Sequence, residues 1–136
     1  MSEKVKKAVD NHHNGYNCAQ SVACAFAEDL GYDEGQVFAL TEALGFGMGC
    51  MSVCGAVSAM SIVAGMKESS GEPGNPTTKK AGYKASKAMH KAFEEKNGSV
   101  ICREIKGVDT GKVLRDCDGC VEDAAEIVEK YLDGKL

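Results

Sequence analysis

The chain has 136 residues, 43% of them hydrophobic and 26% charged, with a formal net charge of −4. That is the composition of an ordinary soluble globule, and the length suits one domain spanning residues 1–136. There is no basic stripe and no Trp, with only four Phe, which argues against a nucleic-acid interface. The apolar run from Val53 to Met66 is too short to cross a bilayer, so no membrane insertion is expected.

The opening Met1-Ser2-Glu3-Lys4-Val5-Lys6-Lys7 leads into polar residues. No hydrophobic segment follows the charges, so it is not a signal peptide, and a cytoplasmic location is expected. Thiols stay reduced in that compartment. Seven cysteines are present, an odd number that cannot all pair within the chain.

The pattern predicts an all-α fold, a compact bundle of about five helices around a central apolar helix at residues 54–67. A first helix runs from about Glu3 to Asn14, capped by Ser2 and stopped at Gly15, with Val5, Ala8, Val9 and His12 on one face. A second runs from about Asn17 to Leu30. Cys18, Val22, Ala25 and Phe26 form its inward stripe, and Cys24 lies well round from it.

The third starts after Asp33, a good N-cap, and places Val37, Leu40, Thr41 and Leu44 on one face. The glycine-rich run Gly45 to Gly49 then reads as a tight connection whose backbone passes close to Cys54. The central helix, Cys54 to about Lys67, is apolar almost all round. A surface loop, Glu68 to Asn75, leads to Asn75-Pro76, which has the form of a helix start.

The long helix that follows carries Ala81, Ala85, Ala88, Met89, Ala92 and Phe93 on one face and ends at Asn97-Gly98. Cys102 to Ile105 reads as a short helical turn, and Val108 to Asp116 as a polar connection. The last helix, about Gly119 to Leu132, turns Val121, Ala124, Ala125, Val128 and Leu132 inward. Its face extended back one turn reaches Cys117.

The chemistry resides in the cysteines. Cys54 opens a helix, where unpaired backbone N–H groups and the positive end of the dipole favour a thiolate. Cys117-Asp118-Gly119-Cys120 is a CxxC at a helix start. No strand or sheet scaffold supports a thioredoxin-like reading, and Asp116 and Asp118 are expected to raise a neighbouring thiol's pKa. Cys50 and Cys54 form a CxxxC.

A site of Cys18, Cys54, Cys102 and Cys117 would draw one thiol from each of four segments. Cys50 and Cys120 are possible extra ligands. His12, on the apolar face near Cys18, is the better histidine candidate. His13 and His90 read as solvated residues. The glycine run lacks the context of a Rossmann fingerprint or a P-loop, so no nucleotide cofactor is expected.

Several stretches resemble one family. They are Gly15-Tyr16-Asn17-Cys18-Ala19-Gln20-Ser21-Val22, Gly45-Phe46-Gly47, Cys54-Gly55-Ala56-Val57-Ser58, Cys102-Arg103-Glu104, and Cys117 with Val121 and Ala124 to Ile127. In that order they look like the C-GCAxxG-C-C family of redox-active proteins. The resemblance covers nearly the whole chain. It implies four signature cysteines, Cys18, Cys54, Cys102 and Cys117, and makes Cys24, Cys50 and Cys120 extras of this chain. The motif's final glycine is Ala59 here. Related segments also resemble part of split-Soret-type cytochromes, where an iron–sulfur site accompanies such cysteines. The absence of CxxCH argues against covalent haem attachment.

Three readings stand open. In the first, the four cysteines bind an iron–sulfur cluster or another metal for electron transfer. In the second, a metal-free thiol–disulfide or sulfur-handling protein uses Cys54 as nucleophile and Cys117 or Cys102 as resolving partner. The third is a non-catalytic, zinc-stabilised interaction module. A redox partner protein is expected, no nucleic acid is, and a homo-oligomer is a possible state.

Overall fold

The computed structural model describes residues 1–136. Seven α-helices make up the chain: α1 Glu3–His13, α2 Cys18–Ala27, α3 Glu34–Thr41, α4 Gly55–Glu68, α5 Lys79–Asn97, α6 Cys102–Ile105 and α7 Cys117–Leu132. No strand forms. A lone antiparallel bridge pairs Val53 with Ile101. The fold is all-α, as the periodicity predicts. No helix is long and apolar enough to cross a membrane.

Side-chain caps set most of the starts. Ser2 accepts from the Val5 N–H, and Asp33 accepts from the Gln36 N–H. At α2, Asn17 accepts from the Gln20 N–H at 2.9 Å while Gln20 accepts from the Asn17 N–H at 3.0 Å. This capping box satisfies two donors that the first turn leaves open. Asp116 accepts from the Gly119 N–H, so α7 begins at Cys117, two residues before the expected start.

One buried cluster joins all seven helices and includes Phe26, Met60, Met89, Phe93 and Val121. The sequence points to residues 54–67 as the central helix. In the structure α2 is buried on every side from Ala19 to Ala27, whereas α4 leaves Gly65 and Lys67 in solvent. Small residues at 19, 23, 25 and 27 let α1, α3, α4 and α7 all close on α2. Cys24 is therefore fully buried although it lies off the α2 stripe.

Other faces are narrower than the pattern suggests. Leu40 is 77% exposed, because α3 is short and packs mainly on α2 through Val37 and Thr41. On α5, Ala85, Met89 and Phe93 are buried, and Ala81 and Ala88 are exposed. Helix α5 starts at Lys79 rather than at Pro76. The Thr78 hydroxyl accepts from the Ser70 N–H at 3.0 Å, tying down the preceding loop instead of capping the helix.

Asp123 anchors the back of the site. It is 1% exposed and accepts from Lys96 at 2.7 Å, Asn97 at 3.1 Å, and Arg115 at 3.1 and 3.2 Å. Burial opposes its charge, and these donors outweigh that cost and hold the carboxyl below its ordinary value.

Candidate functional site

Four helix starts and one helix end converge on a cavity of about 140 Å³ lined by Cys18, Cys54, Cys102, Cys117 and Cys120. His12, Lys106 and Arg115 also line it. Each thiol is placed by a local device. Cys18 is the first residue of α2, fixed by the capping box, and the Asn17 side chain further donates to the Glu42 carbonyl at 2.8 Å. Cys54 is the N-cap of α4.

The bridge between Val53 and Ile101 sets Cys54 beside Cys102. The Cys54 N–H donates to the Val100 carbonyl at 2.8 Å, and the Cys102 N–H to the Ser52 carbonyl at 2.7 Å. Cys117 and Cys120 occupy the first turn of α7. Gly45 and Gly55 allow the closest approach. A Cβ on Gly55 would lie 3.0 Å from the Leu44 carbonyl oxygen and 3.1 Å from both the Ala19 nitrogen and the Gly45 Cα. The start of the glycine run thus lies against Gly55, the residue that follows Cys54. Within it Phe46 and Met48 adopt left-handed φ values of 53° and 59°.

The thiols fall into pairs. Cys18 and Cys117 are each the leading influence on the other's ionisation, and so are Cys54 and Cys120. The two residues of the CxxC thus face different partners rather than each other. All seven cysteines are free thiols. Cys102 is 7% exposed with no thiol partner, and burial pushes its pKa up. No three His, Cys, Asp or Glu side chains stand together in metal-ligating geometry.

The pairs are polarised. The Cys18 S–H lowers Cys117 to about 5, against the cost of burial and with help from the Lys106 ammonium, which donates to the Cys117 sulfur at 3.6 Å. The Cys120 S–H lowers Cys54 to about 7, again against burial, and the Ala56 and Val57 N–H groups contribute. The donors Cys18 and Cys120 are correspondingly raised. Cys54 follows the expectation for a thiol facing open helix N–H groups.

Cys117 reverses the expectation drawn from its acidic neighbours. The Asp116 carboxylate is occupied capping Gly119. The Asp118 carboxylate is paired with His12 and with His13 at 3.0 Å. His12 joins the site through both ring nitrogens: Nδ1 meets Asp118, and Nε2 lies 3.9 Å from the Cys18 sulfur.

Of the extras, Cys120 lies in the cavity. Cys50 is exposed outside it, its S–H donating to the Gly47 carbonyl at 3.5 Å. Cys24 lies apart in the core, its S–H donating to the Glu34 carbonyl at 3.8 Å, and burial lifts it to about 11. Lys106 escaped the sequence reading. Its one signal was the i,i+4 spacing from Cys102. A larger open groove of about 650 Å³ between α4 and α5 contains Ser61, Gly65, Thr78 and Ser86. It holds no thiol or imidazole, so the candidate chemistry belongs to the smaller cavity.

The C_GCAxxG_C_C family model, described as "Putative redox-active protein", matches residues 16–131. No curated protein and no solved structure matches the chain. The matched span contains all five cavity cysteines, and the chain belongs to the C_GCAxxG_C_C redox-active family.

Proposed function

We propose that this protein carries out cytoplasmic thiol–disulfide exchange with a redox partner protein, through Cys117 and Cys18. One observation carries the reading: the Lys106 ammonium donates to the Cys117 sulfur at 3.6 Å, in the cavity that Cys18 also lines. The thiolate is the attacking species, and one whose pKa lies below ambient pH is ionised at rest. This assigns the nucleophile to Cys117 rather than to the more buried Cys54.

The Cys117 thiolate attacks one sulfur of the partner's disulfide. A mixed disulfide forms, and the first partner thiolate leaves. Cys18 passes its proton to His12 Nε2 and attacks the Cys117 sulfur, expelling the second partner thiolate. Two protein thiols have become one disulfide, and the partner disulfide has gained two electrons. Asp118 holds Nδ1 and so turns Nε2 toward Cys18. The reverse sequence reduces Cys18–Cys117 with a partner dithiol.

The test is an acid quench shortly after adding limiting oxidised glutathione, followed by peptide mapping. The expected first crosslink is Cys18–Cys117, and Cys117→Ser is expected to abolish it. A first crosslink between other cysteines would refute the assignment. A second reading, an iron–sulfur cluster or other metal held by Cys18, Cys54, Cys102 and Cys117, draws on the convergence of thiols on one cavity. All-thiolate ligation suits such a cluster, and the paired side chains would have to regroup around it. Stoichiometric iron with acid-labile sulfide after anaerobic purification would favour that reading over the dithiol.

A further inference from the structure

We infer that the cavity is a four-electron unit in which the outer pair, Cys18 and Cys117, relays oxidation to a second redox pair, Cys54 and Cys120. This rests on the dithiol reading above and extends it to two cysteines which that reading leaves idle. Three observations carry it. Cys54 and Cys120 both line the cavity of about 140 Å³, and each is the leading influence on the other's ionisation, as with Cys18 and Cys117. Both pairs line the same cavity. They differ in access: Cys54 is 6% exposed and Cys120 is 2% exposed, whereas Cys18 and Cys117 are half-buried.

The CxxC supplies the link, since Cys117 belongs to the outer pair and Cys120, one turn along α7, to the inner. Cys54 is the attacking thiol, as the N-cap of α4, where open backbone N–H groups favour a thiolate.

The exchange balances without a further reagent. The Cys54 thiolate attacks the Cys117 sulfur of the Cys18–Cys117 disulfide, forming Cys54–Cys117 and releasing the Cys18 thiolate, which takes up a proton. Cys120 loses its proton and attacks the Cys54 sulfur, forming Cys54–Cys120 and releasing Cys117 as thiolate. One disulfide has moved inward and two thiols have moved outward. A second low-molecular-weight disulfide then reoxidises the outer pair. The full cycle consumes two such disulfides, yields four small thiols and stores two protein disulfides. Cys24, Cys50 and Cys102 remain free.

The test is a titration of the reduced protein with excess oxidised glutathione, followed by denaturing alkylation, intact mass and peptide mapping. The expected result is loss of four thiols, mapped to Cys18–Cys117 and Cys54–Cys120. Cys120→Ser is expected to cut the loss to two while Cys18–Cys117 still forms, and Cys24→Ser to leave it at four. In Cys117→Ser, the Cys54–Cys120 bond is expected to form slower by about tenfold or more, because the ionised outer thiolate that attacks the oxidant first is gone. Loss of only two thiols from the native chain, with Cys18–Cys117 intact, would overturn the inner pair and spare the dithiol reading. An unchanged rate of inner-pair oxidation in Cys117→Ser would overturn the relay. Failure of Cys18–Cys117 to form in the native chain and in Cys120→Ser and Cys24→Ser would refute the dithiol reading itself.

Discussion

Lys106→Met removes one charge from the Cys117 sulfur and keeps most of the side-chain volume. The ammonium lies 3.6 Å from that sulfur. Two unit charges at that separation interact by about 1 kcal/mol at the dielectric of water and by about 4–5 kcal/mol at an effective value near 20. Both side chains touch solvent, so the lower end applies, and the lost interaction corresponds to about one pKa unit. The Cys18 S–H is the larger influence and stays in place, so the Cys117 midpoint should move from about 5 only to about 6.

The rates then cross. A more basic thiolate is intrinsically more nucleophilic, by about threefold per pKa unit, while its population at low pH falls. Against 2,2′-dithiodipyridine the variant should react at about half the native rate at pH 5 and about threefold faster at pH 8. Stopped-flow absorbance with quenched peptide mapping reads the rate at Cys117. A midpoint that stays put, or rates that move together across the pH range, would refute the role given to Lys106. Cys18→Ala should shift the midpoint upward by more than Lys106→Met does.

Three further expectations concern the scaffold. Gly55→Ala places a methyl against three backbone atoms that cannot swing away, so it should destabilise by about 1–3 kcal/mol in urea unfolding; a more stable variant would contradict the close approach of α2 and α4. Asp123→Ala strips the shared acceptor from Lys96, Asn97 and Arg115. A fully buried pair would lose about 3–5 kcal/mol, and the solvent access of both cations brings the expected loss to about 2–3 kcal/mol, or roughly 10 °C in Tm.

The Asp123 carboxyl is held below its ordinary value, so its contribution is complete above the usual carboxylate range. It is lost as the pH falls through the depressed value, and the native advantage over Asp123→Ala should shrink below about pH 4 and not above pH 7. Asn17→Ala removes the capping box of α2 and should cost about 1 kcal/mol by thermal circular dichroism.

Much of the fold was legible because helical periodicity and caps are local. The Val5/Ala8 face, the Asp33 cap and the stop at Asn97-Gly98 are set within one or two turns of chain. Faces were misjudged where burial depends on a neighbour the sequence does not name, as at Leu40, Ala81, Ala88 and Cys24. The Asn17/Gln20 capping box and the Asp116 cap were local signals that the sequence reading missed.

The sequence by itself determined that thiols stand at helix starts, and that Cys54 meets open N–H groups, because both follow from positions next to one another in the chain. It also carried the family resemblance. Only the tertiary structure decided which thiol faces which. The Val53–Ile101 bridge, the packing of α1 on α7 and the crossing of α2 and α4 at Gly55 divide the CxxC between two partners and bring Lys106 onto Cys117. The packing of α1 on α7 also pairs Asp118 with His12 and His13, and with Asp116 taken up by its local cap this reverses the charge environment expected for Cys117. The physical reason is that a thiol's pKa answers to every charge and donor within a few ångströms, and in this fold most of those come from residues far away in sequence.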